Sequence, residues 1–178
     1  GDWSSDVCSS DLIVSIKNVG YPGLAIKASS RPALKSGGKE IDCSGLYILP
    51  GLIDMHGHIG GTEQGTPAEY VFKLWMAHGI TTIRDPSCGN GLDWVLDQKQ
   101  KSLNNLITAP RIHAYTAFGM GAKGGISTPE QATEWVRENA KKGADGIKFF
   151  GAPPAIMDAA LRENKKIGLR SCCHHAQM

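Results

Sequence analysis

The chain has 178 residues, 41% of them hydrophobic and 20% charged, with a formal net charge of +2. That composition supports an ordinary apolar core and excludes both a disordered chain and a polyanion-binding surface. Lys and Arg are scattered without a basic stripe and no apolar run reaches the ~18 residues of a membrane span, so neither nucleic acid nor a membrane is expected as a partner.

The five cysteines, Cys8, Cys43, Cys88, Cys172 and Cys173, include no C-x-x-C pair. Cys172 and Cys173 are adjacent, and on a strand they face opposite ways, which argues against a bridge between them. A reducing, cytoplasmic setting is favoured. Secretion or a periplasmic location stays open, because the true N-terminus is expected to be missing.

Residues 2–12, DWSSDVCSSDL, resemble the translation of a common short-read sequencing adapter. Residues 1–12 are therefore read as a non-native tail, followed by a partial β domain over 13–45 and an α/β domain over 46–178. Within 13–42, the short apolar stretches IVSIKNV, LAIKA and KEIDC are broken by Gly and Pro, which predicts short strands and turns.

The pattern changes at residue 46. Residues 46–54 (LYILPGLID) are expected to form a buried strand. Residues 67–78 place Tyr70, Val71, Leu74, Trp75 and His78 at helical spacing before Gly79. A strand over 80–84, a weakly marked helix over 92–101 and a strand over 111–117 follow. Thr128 reads as an N-cap with Pro129 at the first helical position and Gln131 completing a capping box. That helix shows Ala132, Trp135, Val136 and Ala140 on one face and ends near Gly143. A strand over 145–150, a helix over 154–166 with a basic last turn, and a strand opening at 169 complete the series. Strand and helix alternating at ~30-residue spacing imply βαβ units and a parallel sheet.

His56 and His58 follow the first apolar run in LPGLIDMHGHIGG. Two residues apart on an extended strand, both imidazoles face one way and can converge on one ion. Imidazole nitrogens suit zinc and similar divalent metals. The pair sits where a strand gives way to a Gly-rich loop, the end of the strand at which α/β barrels build their sites.

The longer string GLYILPGLIDMHGHIG resembles the first barrel strand of the amidohydrolase superfamily, in particular its imidazolonepropionase and prolidase-like branch. GITTIRDPS resembles the second strand, GADGIKFF the fourth and GLRSCCHHAQ the fifth. The resemblance implies a (β/α)8 TIM barrel, about five of its eight strands lying in this chain, preceded by part of a small β-sandwich domain. A complete barrel takes ~250 residues.

The resemblance further implies His56 and His58 as metal ligands, Lys148 as a bridging lysine carboxylated on its amine, and His174 as the fifth-strand ligand, with His175 as the alternative. Asp85, closing TTIRD, would accept a hydrogen bond from a ligand histidine and so orient it. The implied cofactor is a divalent metal, zinc for preference, as one or two ions. The implied activity is hydrolysis of a C–N amide-type bond in a cyclic amide or small dipeptide, by metal-activated water. The implied partner is that small-molecule amide or peptide substrate, and homo-oligomerisation is left open. The family's strand-eight aspartate, the expected proton handler, has no counterpart in these residues, so the 178-residue chain alone is expected to be inactive.

Three features receive other readings. His113 is expected to be an ordinary core or surface histidine, and His78 a cation placed favourably in a helix's last turn. FGMGAKGG (118–125) lacks the Lys-Ser/Thr ending of a phosphate loop. The competing class is a flavodoxin-like α/β binding module in which the His-x-His, Lys148 and the terminal histidines diverge in space.

Overall fold

The computed structural model describes residues 3–9, 12–20, 27–34, 36–43, 45–61 and 65–174. It divides into two compact units, Gly1–Ile48 and Leu49–Met178.

In the first unit, β1 (Trp3–Ser9) pairs antiparallel with β2 (Leu12–Gly20), and a short 3-10 turn spans Ala28–Ser30. The adapter reading of residues 1–12 concerns the origin of that segment, which backbone pairing does not address. LAIKA falls largely on residues 21–26, outside the described residues. KEIDC is not a strand, contrary to expectation, and Ile41 is largely exposed. A strand needs a neighbour for its N–H and C=O groups, and among the described residues this stretch joins no sheet.

The second unit alternates β3 (Leu52–Asp54), α1 (Ala68–Ala77), β4 (Ile80–Asp85), α2 (Leu92–Leu103), β5 (Arg111–Ala117), α3 (Pro129–Lys142), β6 (Gly146–Phe149), α4 (Pro154–Ile167) and β7 (Arg170–Cys173). All neighbouring strands are parallel, and their spatial order is their chain order, β3-β4-β5-β6-β7. That sequential order is how a barrel is laid down. A flavodoxin-like sheet reverses order at its switch point, so the competing fold is overturned. The unit is five consecutive strands of a TIM-type barrel.

Local chemistry explains the boundaries. Thr128 Oγ1 accepts the Gln131 N–H at 3.3 Å while Gln131 Oε1 accepts the Thr128 N–H at 3.2 Å, the reciprocal box that starts α3. Gly143 and Gly168, both left-handed, end α3 and α4 with positive φ that other residues adopt at a cost. His78 Nδ1 lies 2.8 Å from the Leu74 carbonyl at the C-terminus of α1.

Strand alternation sorts the side chains into two layers. Ile83, Ile112, Ala114, Ile147 and Phe149 face the helices and are sealed by Phe72, Val95, Ala132, Trp135, Val136, Ile156 and Ala160. Each such Ile, Val or Phe contributes roughly 1.5–3 kcal/mol by leaving water. Arg84, His113, Tyr115 and Lys148 occupy the opposite layer, with Arg84 level with His113 and Lys148 level with Ala117.

Two expectations require correction. The run 46–54 is not a buried strand: only Leu52–Asp54 is extended, and Leu49, Leu52 and Ile53 are exposed. β3 is an outer strand of the sheet, hydrogen-bonded to β4 alone among the described residues. In α1 the buried residue is Phe72, with Trp75 packed beside the core, whereas Tyr70 and Leu74 are exposed. Both stripes are apolar, and the helix turns the aromatic one towards Ile83.

Candidate active site at the strand ends

Past Asp54 the chain turns rather than continuing as a strand. Asp54 Oδ1 accepts the His56 N–H at 2.9 Å, and the Gly57 N–H donates to the Arg84 carbonyl at 3.1 Å, which keeps the turn beside β4. A Cβ on Gly57 would stand 2.7 Å from the Trp75 ring, so only glycine fits there. The turn brings His56 and His58 together with ring centroids 5.1 Å apart and planes at 73°. The pair is thus adjacent as expected, through a turn instead of strand alternation.

Burial first, then the positive charge of Lys148, the neighbouring His58 and Arg84, hold the His56 imidazole below the usual histidine range, and Asp54 opposes them. The shift favours the neutral imidazole at neutral pH.

Lys148 is 3% exposed, on the face opposite Ile147 and Phe149. Its Nζ lies 5.4 Å from the Phe150 ring centroid, and no carboxylate pairs with it among the described residues. Burying an ammonium without a carboxylate is costly.

Asp85 is 1% exposed. Its Oδ1 accepts the N–H groups of Ser87 at 3.2 Å and Cys88 at 3.1 Å, and His58 Nδ1 stands 3.9 Å from it. Its Oδ2 is buried without a partner among the described residues. Burial pushes the Asp85 carboxyl above the usual carboxylate range, and the two backbone donors and His58 pull it part of the way back.

His174 follows Cys172, the register partner of Lys148, and its ring lies 5.3 Å from that of Phe150. His175 lies outside the described residues. Among the described residues no group of three or more His, Cys, Asp and Glu side chains surrounds a common point, so His174 is not drawn in with His56 and His58. They sit beyond β3 and β7, the two outermost strands, four strand spacings of ~4.8 Å apart along the sheet. His113 is exposed on the open layer, as a surface histidine.

Sequence reasoning missed four participants. Arg84 lies 5.3 Å above the Tyr115 ring, Phe150 links Lys148 to His174, and Ser87 and Asn90 hold the histidine loop. Arg84 and Phe150 could have been found, since each is two residues from a singled-out position or next to one on a strand. Ser87 and Asn90 carry no signal of their own in a loop.

No family model matches the chain. An adenine deaminase of Methanoculleus marisnigri is 38% identical over 129 residues, covering 68% of this chain and 24% of that protein. Adenine deaminase 2 of Rhizobium etli is 41% identical over 176 residues, covering 90% of this chain and 28% of that protein. The chain thus spans about a quarter of the length of these curated relatives. Among solved structures, a Xaa-Pro dipeptidase with bound methionine superposes with a TM-score of 0.56 at 22% identity, over 70% of this chain and 43% of that one. A prolidase-like protein from Bifidobacterium longum superposes with a TM-score of 0.62 at 22% identity, over 91% of this chain and 43% of that one. With its in-order parallel strands, its His-x-His turn beyond β3 and these relatives in both sequence and fold, the chain belongs to the amidohydrolase superfamily.

Proposed function

We propose that the protein is a metal-dependent hydrolase of C–N bonds whose substrate is an amino-substituted purine, with release of ammonia. The observation that carries the reading is the His56 and His58 pair, 5.1 Å apart, with His56 held neutral beside buried Lys148. The substrate class follows the relatives in sequence, which are named adenine deaminases, in preference to the dipeptide or cyclic amide that the motifs alone imply. Solved structures near 20% identity speak for the fold and leave the substrate to the sequence.

The donor set fits a divalent cation: two imidazoles, and a buried lysine whose missing counter-charge a carboxylated amine would replace with an anion able to bridge two ions. His56, His58 and Lys148 would hold the metal, zinc for preference, with His174 as a further ligand when the barrel is closed and Asp85 orienting His58. Bound metal supplies a water whose pKa is lowered towards ~7. The residues do the rest: His56 stays unprotonated at neutral pH, and Arg84 keeps positive charge beside the site.

The test uses the complete protein loaded with zinc and bicarbonate. Ammonia release from adenine, against hydrolysis of prolyl dipeptides and cyclic amides, is expected to favour adenine and to vanish in His56→Ala. Turnover of dipeptides alone would overturn the substrate class. Turnover indifferent to His56→Ala would overturn the site.

A further inference from the structure

The loop after β3 carries His56 and His58, and the turn after β4 (86–91) grips it at two points. Asn90 Nδ2 donates to the Ile59 carbonyl at 3.2 Å and to the Gly60 carbonyl at 2.5 Å. Any Cβ on Gly61 would fall on the Asn90 side chain, so the loop backbone lies directly against that amide. Nearer the site, Ser87 Oγ lies 3.4 Å from His58 Nδ1, with Asp85 Oδ1 behind it at 3.9 Å.

We infer that Ser87 and Asn90 are positioning residues for the histidine pair: Asn90 fixes where the loop sits, and Ser87 with Asp85 fixes which nitrogen His58 presents. This rests on the metal reading above only for its purpose, since the geometry concerns this chain's own side chains. A primary amide suits the task of Asn90. Two carbonyls need two N–H donors, and the –NH2 group supplies both from one atom, whereas an aspartate would set an acceptor against two acceptors.

At His58 the neighbours decide the tautomer. Asp85 Oδ1 already accepts two backbone N–H groups and has nothing to donate as a carboxylate, and the Ser87 hydroxyl oxygen accepts as readily as it donates. A proton on Nδ1 is donated to Ser87 Oγ at 3.4 Å and is drawn electrostatically by the Asp85 carboxylate 3.9 Å away, and it leaves the Nε2 lone pair free. Nδ1 contacts of this kind commonly fix the orientation and basicity of a metal-binding imidazole. Asp85 Oδ2, buried and without a hydrogen-bond partner among the described residues, is an independent sign that this carboxylate is kept for more than the turn it caps.

The experiment takes the complete protein, its histidines labelled with 15N. Without metal, the His58 ring nitrogens are expected to report a protonated Nδ1 and a bare Nε2. Ser87→Ala should scramble that preference, and Ser87→Thr, which keeps the hydroxyl, should restore it. In a cobalt titration followed by its visible absorption, Asn90→Ala and Ser87→Ala should each weaken binding about ten- to a hundredfold, with the melting curve checking that each variant is folded. A His58 carrying its proton on Nε2 in the parent, or variants matching the parent in both ring shifts and cobalt affinity, would overturn the inference. If the parent binds no cobalt, the metal reading fails, and the ring shifts alone decide the roles of Ser87 and Asp85. Should Asn90→Ala not fold, Asn90→Asp and the Ser87 pair carry the same comparison.

Discussion

Asp145, at the foot of β6, receives the Lys99 amine on both carboxylate oxygens at 2.7 Å each, and its Oδ2 also accepts the Ala114 N–H at 2.8 Å. One side chain therefore ties α2 to β5 and β6. Both partners are partly exposed, 24% for Lys99 and 27% for Asp145, so the ion pair is screened and the backbone contact matters more. Asp145→Ala is expected to lower unfolding free energy by about 2 kcal/mol, and Lys99→Ala by less than about 1 kcal/mol. Urea unfolding of the two variants checks the order. Equal losses would show that the ion pair dominates.

His56 should titrate below the ordinary histidine value of 6.5 in the metal-free protein. Because its folded pKa is depressed, the unfolded chain takes up the proton first as pH falls through 6.5, and His56 then weighs against the fold. Replacing Lys148 with Met removes the charge that lowers His56 most after burial and should raise the His56 midpoint, as read by NMR titration. An unmoved midpoint would mean that burial alone holds His56 down.

Asp85→Asn should leave the fold intact. The amide oxygen can still accept from Ser87 and Cys88, and a buried charge is removed. The folded pKa of Asp85 is raised above the ordinary 3.8, so its ionised form costs stability, and that cost is relieved as pH falls through the folded pKa towards 3.8. The variant is expected to melt at or above the parent temperature at pH 7, with the advantage shrinking in acid. A large loss at neutral pH would show that the ionised carboxylate stabilises the fold.

Gly146 permits a close approach on the open layer. A Cβ there would stand 2.4 Å from the Tyr115 ring and 2.7 Å from the Arg170 carbonyl. Gly146→Ala must displace Tyr115 or part β6 from β7, at a cost of about 1–3 kcal/mol. A thermal melt measures the loss, and near-UV circular dichroism should change with it as Tyr115 moves.

The barrel elements were legible because their signals were local. The Thr128 and Gln131 box, the glycines ending helices and the alternation of Ile83 with Arg84 act within a few residues. What sequence misjudged depended on distant partners. LYILPGLID has the composition of a buried strand, and its exposure goes with β3 having one hydrogen-bonded neighbour among the described residues. In α1, two apolar stripes compete, and only the sheet decides that Phe72 goes inward. At the site, the His-x-His motif and Lys148 stood out as residue types in a pattern. Ser87 and Asn90 did not, because a serine and an asparagine in a turn look the same whether they hold a histidine loop or only water.

Lys148 owes its place to strand register, level with Ala117 on one side and Cys172 on the other. Deleting one residue just ahead of β6 would carry Phe149 into that place and push the lysine into the layer now filled by Ile147, against Ala132 and Val136. Lengthening the stretches that follow the strands would leave that register untouched. Descendants of this scaffold are therefore free to gain or lose residues after each strand, where a new substrate would be met, while the few residues leading into β6 admit changes of kind and none of number.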